Sequence, residues 1–257
     1  MGKEDLDYLI SRKVKIYMKS SEEIIARSVI LLCISDRCAL EKSAISGRAY
    51  SKKQREEQRM AIYKWLQNKE YTNYMTKSEM HLFEQEVGSE NKNEILSNQV
   101  QYEAIEPCLW SLGLVNELSN YNQFVLTDFH PVLQISMQHM PKKILDVCNM
   151  RPEKEIYLQN EISMLWHWRI VEWNNPIFQT QNIKNIVITV FGQQYETIFA
   201  NIRQLSSDQS DFMVNNKLIN NLSEEEISSI NCIAKWRHHA FEWIVGDDLW
   251  DEVELDS

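Results

Sequence analysis

The chain has 257 residues, 44% hydrophobic and 25% charged, which is long enough to bury a sizeable core and too apolar for wholesale disorder. Six Gly and five Pro in that length exclude a turn-rich all-β sandwich or barrel. The net charge of −10 disfavours nucleic acid as a partner, but it is unevenly spread: residues 1–69 carry 15 Lys plus Arg against 9 Asp plus Glu, so the acidic excess lies in the remainder.

In chain order, residues 1–19 read as an N-terminal extension. They show no signal peptide, since charges interrupt every apolar run, and the longest apolar run of the chain, SVILLCI, is too short to span a bilayer. Leu6 stands where a myristoylation pattern needs Ser or Thr. Ser20 or Ser21 then caps a core helix with Ile24, Ile25, Leu31, Leu32 and Cys38 on its apolar face and two glutamates in its first turn. Ser51 caps a highly charged helix with one apolar end at Met60, Ile62, Tyr63, Trp65 and Leu66. Thr76 and Glu79 form the capping box of a short third helix that stops at Gly88. SENKNEILSN reads as a polar connection.

Ser97 starts the next expected helix, NQVQYEAIEPCLWSLGL, kinked in its middle by Pro107. Glu103 falls inside its apolar run, which makes it a candidate buried carboxylate in need of a partner. After a looser stretch and a short helix at PKKILDVCN, the longest helix runs from Pro152 to the breaker Asn174-Asn175-Pro176 and carries His167 and Arg169 among Trp166, Trp168 and Trp173. KNIVITVFG is the single β-favouring run, open between strand and helix; YETIFANIRQL after it is helical. DFMVNNKLI, with Asn215-Asn216 between apolar flanks, signals a hairpin that either pairs with the KNIVITVFG run or stands as a small surface hairpin. The last helix begins with the capping box Ser223 to Glu226, repeats Ile227, Ile230, Ile233, Ala234, Phe241 and Ile244 at helical spacing, and stops at Gly246. Trp250 then sits in an acidic tail, as an anchor that docks it.

The fold class is therefore mainly α: one multi-helix globular domain over 1–257 with a small β-hairpin, anchored at Trp110, Trp168, Trp243 and Trp250. Cys33, Cys38, Cys108, Cys148 and Cys232 are unclustered, which points to free thiols in a reducing cytoplasm. No H-x-x-x-H, C-x-x-C or phosphate-cradling Gly loop exists, and His238-His239 point about 100° apart on a helix, so neither a metal nor a cofactor is expected.

Several of these segments resemble a widespread, mainly bacterial family of unknown function, number forty-two seventy-two. QYEAIEPCLWSLGL is similar to its tyrosine-glutamate-alanine helix, KKILDV to its isoleucine-leucine-aspartate step and LWHW to its histidine-tryptophan helix. WRHHAFEW and the WDEVELDS ending are similar to its final helix and its tail. The chain departs from that pattern at Gln101, at Met164-Leu165 and at Trp236, each replacing a polar or charged residue. The family has no established activity, so the resemblance implies a fold more than a function.

Chemistry, if any, draws on Glu103, His167, Arg237, His238 and Asp251. Glu103 and Arg237 could form a buried pair while His167 and Asp251 do acid–base work, in a small hydrolase or transferase-like enzyme. The reading preferred from the residues makes Glu103 and Arg237 a structural pair. It makes the protein a non-catalytic interaction module, immunity-like or accessory, whose acidic C-terminal half faces a basic protein partner. The residues leave oligomeric state open.

Overall fold

The computed structural model describes residues 17–47, 50–133, 144–176, 182–208 and 210–255. The chain is mainly helical, with one two-stranded antiparallel sheet among the described residues. Residues 1–16 of the N-terminal extension lie outside the described residues, as do Pro141, Lys142 and Lys143, where the short helix was expected to start. The residues group into two compact units. One comprises Met1–Lys19, Glu117–Val125 and Arg151–Ser257, the other Ser20–Asn116 and Leu126–Met150.

The second of these is built around α1 (Ser21–Ser46), buried almost all round from Ile24 to Ile34. Ser20 caps it in a complete capping box with Glu23. α2 (Lys52–Asn68) starts at its own box, Ser51 with Gln54, and α3 (Lys77–Glu84) at Thr76 with Glu79; α3 ends at Gln85, three residues before the expected stop. A 3-10 turn, Tyr71–Tyr74, joins α2 to α3.

Two expectations need correction. The polar stretch SENKNEILSN is not a connection: Asn91 caps α4 (Lys92–Val100) in a box with Glu94, because Asn is as good an N-cap as Ser. Nor does Pro107 kink a helix in its middle. The chain tightens into a 3-10 turn at Gln101–Ala104, and α5 (Ile105–Ser111) begins anew. Pro107 is the third residue of α5, where a first-turn N–H has no intrahelical acceptor to lose. α5 ends in a Schellman closure: Leu114 N donates to Leu109 O at 2.9 Å and Gly113 N to Trp110 O at 3.0 Å, with Gly113 left-handed at φ 70°. The short α6 (Ile144–Val147) follows later in this unit.

A Cβ on Gly113 would stand 2.5 Å from the Asn149 carbonyl oxygen. Gly113→Ala therefore combines a left-handed alanine with a backbone clash, and should cost about 2–4 kcal/mol in chemical denaturation. An unchanged midpoint would mean that this closure is not what holds Asn149 in place.

The other unit rests on α7 (Glu153–Val171) packed along α10 (Glu224–Val245). KNIVITV resolves as helix: α8 (Ile183–Phe191) buries Ile183, Ile186 and Val187 at i, i+3, i+4 spacing and leaves Val190 exposed. Tertiary packing of that one face overrides the β-branched propensity. α9 (Tyr195–Ala200) follows. β1 (Met213–Val214) and β2 (Lys217–Leu218) form the hairpin, with Asn215 and Asn216 at φ 50° and 63° in a two-residue turn. They pair with each other and not with the KNIVITV run. Ser223 and Glu226 complete the box of α10. Gly246 ends it in extended, not left-handed, conformation, and a Cβ there would be 3.0 Å from the Glu242 carbonyl oxygen.

Candidate functional site

Of the polar groups singled out in the sequence, His167 and His238 come together on the α7–α10 seam. His167 of α7 and His238 of α10 face each other with their Nδ1 atoms 3.3 Å apart and are 6% and 2% exposed. Helical spacing puts both on facing buried stripes, at positions an apolar residue would otherwise fill. Two imidazoles at that distance share one proton between nitrogens only when at least one ring is neutral. Burial, with Lys235 adding to it, pulls the His167 pKa down from 6.5 to about 4.

The seam continues in one direction through Glu242, whose Oε2 accepts from Asn160 Nδ2 at 2.8 Å and lies 4.0 Å from His238 Nε2. Next to Asn160 on α7, buried Glu161 accepts the hydroxyl of Tyr195, with Tyr157 also hydrogen-bonded to it. Burial and then the Glu161 charge push both tyrosine hydroxyls upward, so they act as donors and not as bases.

Arg237, 1% exposed, does not point into this row. Its Nη1 donates to the carbonyl oxygens of Ser119 at 2.6 Å and Asn120 at 3.3 Å, and its guanidinium lies 4.8 Å from the Tyr121 ring. Tyr121 in turn stacks on Trp166 at 4.5 Å and 10°. The group pins the 117–125 segment by carbonyl donation and cation–π contact. Glu103, 1% exposed, belongs to the other unit, in the 3-10 turn before α5. Asp251 is exposed after the end of α10 and makes no hydrogen bond or ion pair with any described residue; His167 meets His238 instead.

Trp168, Trp243 and Trp110 are 8%, 6% and 6% exposed. Trp250 is buried as well, in a nest of its own. It packs edge-on against His239 at 4.5 Å and Trp243 at 5.4 Å, while His239 Nε2 meets the Trp250 carbonyl oxygen at 2.9 Å. Lys19 adds a bond from its ammonium to the Asp248 carbonyl oxygen, 2.9 Å, over the Trp243 ring. Outside this nest Asp247, Asp248, Asp251, Glu252 and Glu254 are exposed, with Leu249 among them at 62%.

The residues that sequence reading missed are buried charges. In the first unit Arg169 forks onto Asp211 at 2.9 and 2.8 Å, with Asn220 accepting at 2.7 Å. In the second, Arg27 pairs with Glu79 at 2.6 Å, and Arg37 with Glu41 at 2.6 Å, fully buried. Arg37 and Arg59 also donate to the carbonyls of Leu82, Phe83, Gln85 and Glu86 at the end of α3, while Glu41 accepts from Gly88 N at 2.7 Å. Half-exposed His130 of the same unit sits between Asp128 at 2.7 Å and Asp36 at 3.1 Å. Burial opposes its charge, but the two carboxylate bonds outweigh that and raise its pKa. The D-x-H spacing, with Asp128 also accepting from His130 N, was the one local signal for it.

A pH prediction follows from His167. Its folded pKa lies below the unfolded value, so its contribution to stability is complete above pH 6.5 and is lost as pH falls toward 4, about 3 kcal/mol in all. Denaturation midpoints of wild type and His167→Gln between pH 7 and 4 should converge as the pH drops. Parallel curves would show that His167 titrates as it does in the unfolded chain.

The thiols of Cys38 and Cys108 are pushed up to about 12 by burial, which removes them as nucleophiles at neutral pH. Among the described residues no group of three or more His, Cys, Asp and Glu is arranged to hold a metal ion, and no helix is long and apolar enough to cross a membrane.

Comparison with curated proteins and with solved structures finds no match. The sequence profile of one family does match, over residues 6–183. That range contains QYEAIEPCLWSLGL, KKILDV and LWHW; WRHHAFEW and WDEVELDS lie beyond it. With more than half of its length matched, the chain belongs to the family described as Domain of unknown function (DUF4272).

Proposed function

We propose that this protein is a non-catalytic interaction module, immunity-like or accessory, that presents its acidic C-terminal surface to a basic protein. The observation that carries the reading is the docked tail. Trp250 packs on His239 and Trp243 of α10 and Lys19 holds the Asp248 carbonyl oxygen, so exposed Leu249 lies between two anchored residues, with the exposed carboxylates of Asp247, Asp248, Asp251, Glu252 and Glu254 next to it in the chain. A preorganised surface loses little conformational entropy on binding, and its charge steers a basic partner toward an apolar centre.

The competing reading, a small hydrolase or transferase using Glu103, His167 and Arg237, needs an open approach to those groups, and all three are at most 6% exposed. His167 and Arg237 are also committed, to His238 and to the 119–120 carbonyls.

The test is a pull-down from the native cell extract at low and at high salt, followed by native mass spectrometry. The interaction reading expects a stoichiometric basic protein that leaves at high salt. A clean monomer carrying a bound small molecule would overturn it in favour of the enzyme.

A further inference from the structure

A cleft of about 450 Å³ opens in the second unit, between the first turns of α1, the end of α2, the 3-10 turn Tyr71–Tyr74 and the start of α6. Its volume is that of a small-molecule site. Its apolar and aromatic lining comes from Ile25, Ile144 and the two tyrosines, Tyr71 and Tyr74. Tyr71 is held by Trp65 at 5.8 Å between ring centres. Tyr74 is fixed through its backbone, whose carbonyl oxygen accepts from Arg27 at 2.6 Å, and its side chain is 40% exposed.

The lining also carries charge of one predominant sign. Glu22 and Glu70 both line the cleft, against a single cation among the described residues, Lys69. Neither carboxylate has a hydrogen-bond or ion-pair partner among the described residues. Arg27, whose guanidinium holds the Tyr74 carbonyl beside the cleft, is already bonded to Glu79. Glu70 stands at φ 61° immediately before the aromatic turn, so its position is set by the backbone and not by a partner.

We infer that this cleft binds an organic cation: an ammonium or guanidinium group on an apolar stem, with the stem against Ile25 and Ile144, the charge over the tyrosine rings, and Glu22 and Glu70 as counter-ions. Tyrosine faces attract a cation through their quadrupole, and a carboxylate strengthens its hydrogen bonds when charged. An anion would meet two carboxylates, and a neutral ligand of the same shape would leave both unpaired. The inference is independent of the acidic tail, which belongs to the other unit.

The shared chemistry has two sources, a free small amine or the Lys or Arg side chain of a protein. Titrating the full chain with 2-phenylethylammonium, its neutral isostere 2-phenylethanol, and the Nα-acetyl methylamides of lysine and arginine separates them. Aromatic resonances of Tyr71 and Tyr74 give the readout. The cation should shift both rings and bind about tenfold or more tightly than the alcohol, and the Glu22→Gln/Glu70→Gln double variant should lose that margin. Both glutamates are exposed, so the variant keeps the fold. Tighter binding of the amine than of the capped residues assigns a free amine, and the reverse order assigns a partner's side chain. Equal binding of cation and alcohol, an unchanged double variant, or no shift at either tyrosine would overturn the inference.

Discussion

Replacing Arg37 by alanine is expected to lower the stability of the chain by about 3–5 kcal/mol, the largest single effect among its charged residues. Arg37 and Glu41 are both fully buried, and Arg37 also serves the carbonyls of Leu82, Gln85 and Glu86 at the end of α3. Removing the guanidinium strands the Glu41 carboxylate without its counter-charge and leaves those helix-end carbonyls without a donor. The partner change, Glu41→Gln, should cost less, because the amide oxygen can still accept from Arg37 and the guanidinium keeps its carbonyl acceptors, at the loss of the bond from Gly88 N. Urea denaturation of the two variants checks both the size and the order. If Arg37→Ala unfolds at the wild-type midpoint, the cluster is not holding α3 to α1.

Trp250→Ala is the second large effect, about 3–5 kcal/mol, on the scale of a buried aromatic truncated to alanine. The indole lies among Trp236 at 6.4 Å, Trp243 at 5.4 Å and His239 at 4.5 Å, and is the large side chain by which the tail is anchored. The variant keeps every carboxylate from Asp247 to Glu254, yet the tail should become sensitive to limited proteolysis. Salt-sensitive capture of a basic protein should weaken with it, since the charges would then have to be ordered on binding. Undiminished capture by Trp250→Ala would show that charge alone, without the docked geometry, carries the interaction.

The helical class was legible because its signals are local. The boxes at Thr76 and Ser223, the cap at Ser51 and the apolar repeats of α1, α7 and α10 each lie within a few turns of chain. Asn215-Asn216 marked the hairpin for the same reason. KNIVITV could not be resolved that way, since its identity as helix depends on what its Ile183, Ile186 and Val187 face packs against. Buried arginines were the least legible feature. Arg27, Arg37, Arg59 and Arg169 carry no local signal of a buried partner, and acceptors that make their burial tolerable lie up to about fifty residues away. His167 was picked out from its place between indoles, but its partner, His238, is 71 residues on. Arg237 was expected to answer Glu103; within its own unit it is the donor that holds Ser119, Asn120 and Tyr121.

The most direct test of the central claim, that the buried polar groups are structural and the docked acidic tail is the working surface, is a calorimetric comparison of three forms of the full chain. Wild type, the tail variant Asp247→Asn/Asp248→Asn/Asp251→Asn/Glu252→Gln, and His167→Gln would each be titrated with the basic protein recovered in the salt-dependent pull-down. The account predicts that the tail variant loses about tenfold or more in affinity while His167→Gln binds as wild type does. Loss of binding in His167→Gln with full retention in the tail variant would contradict it and place the working site on the α7–α10 seam.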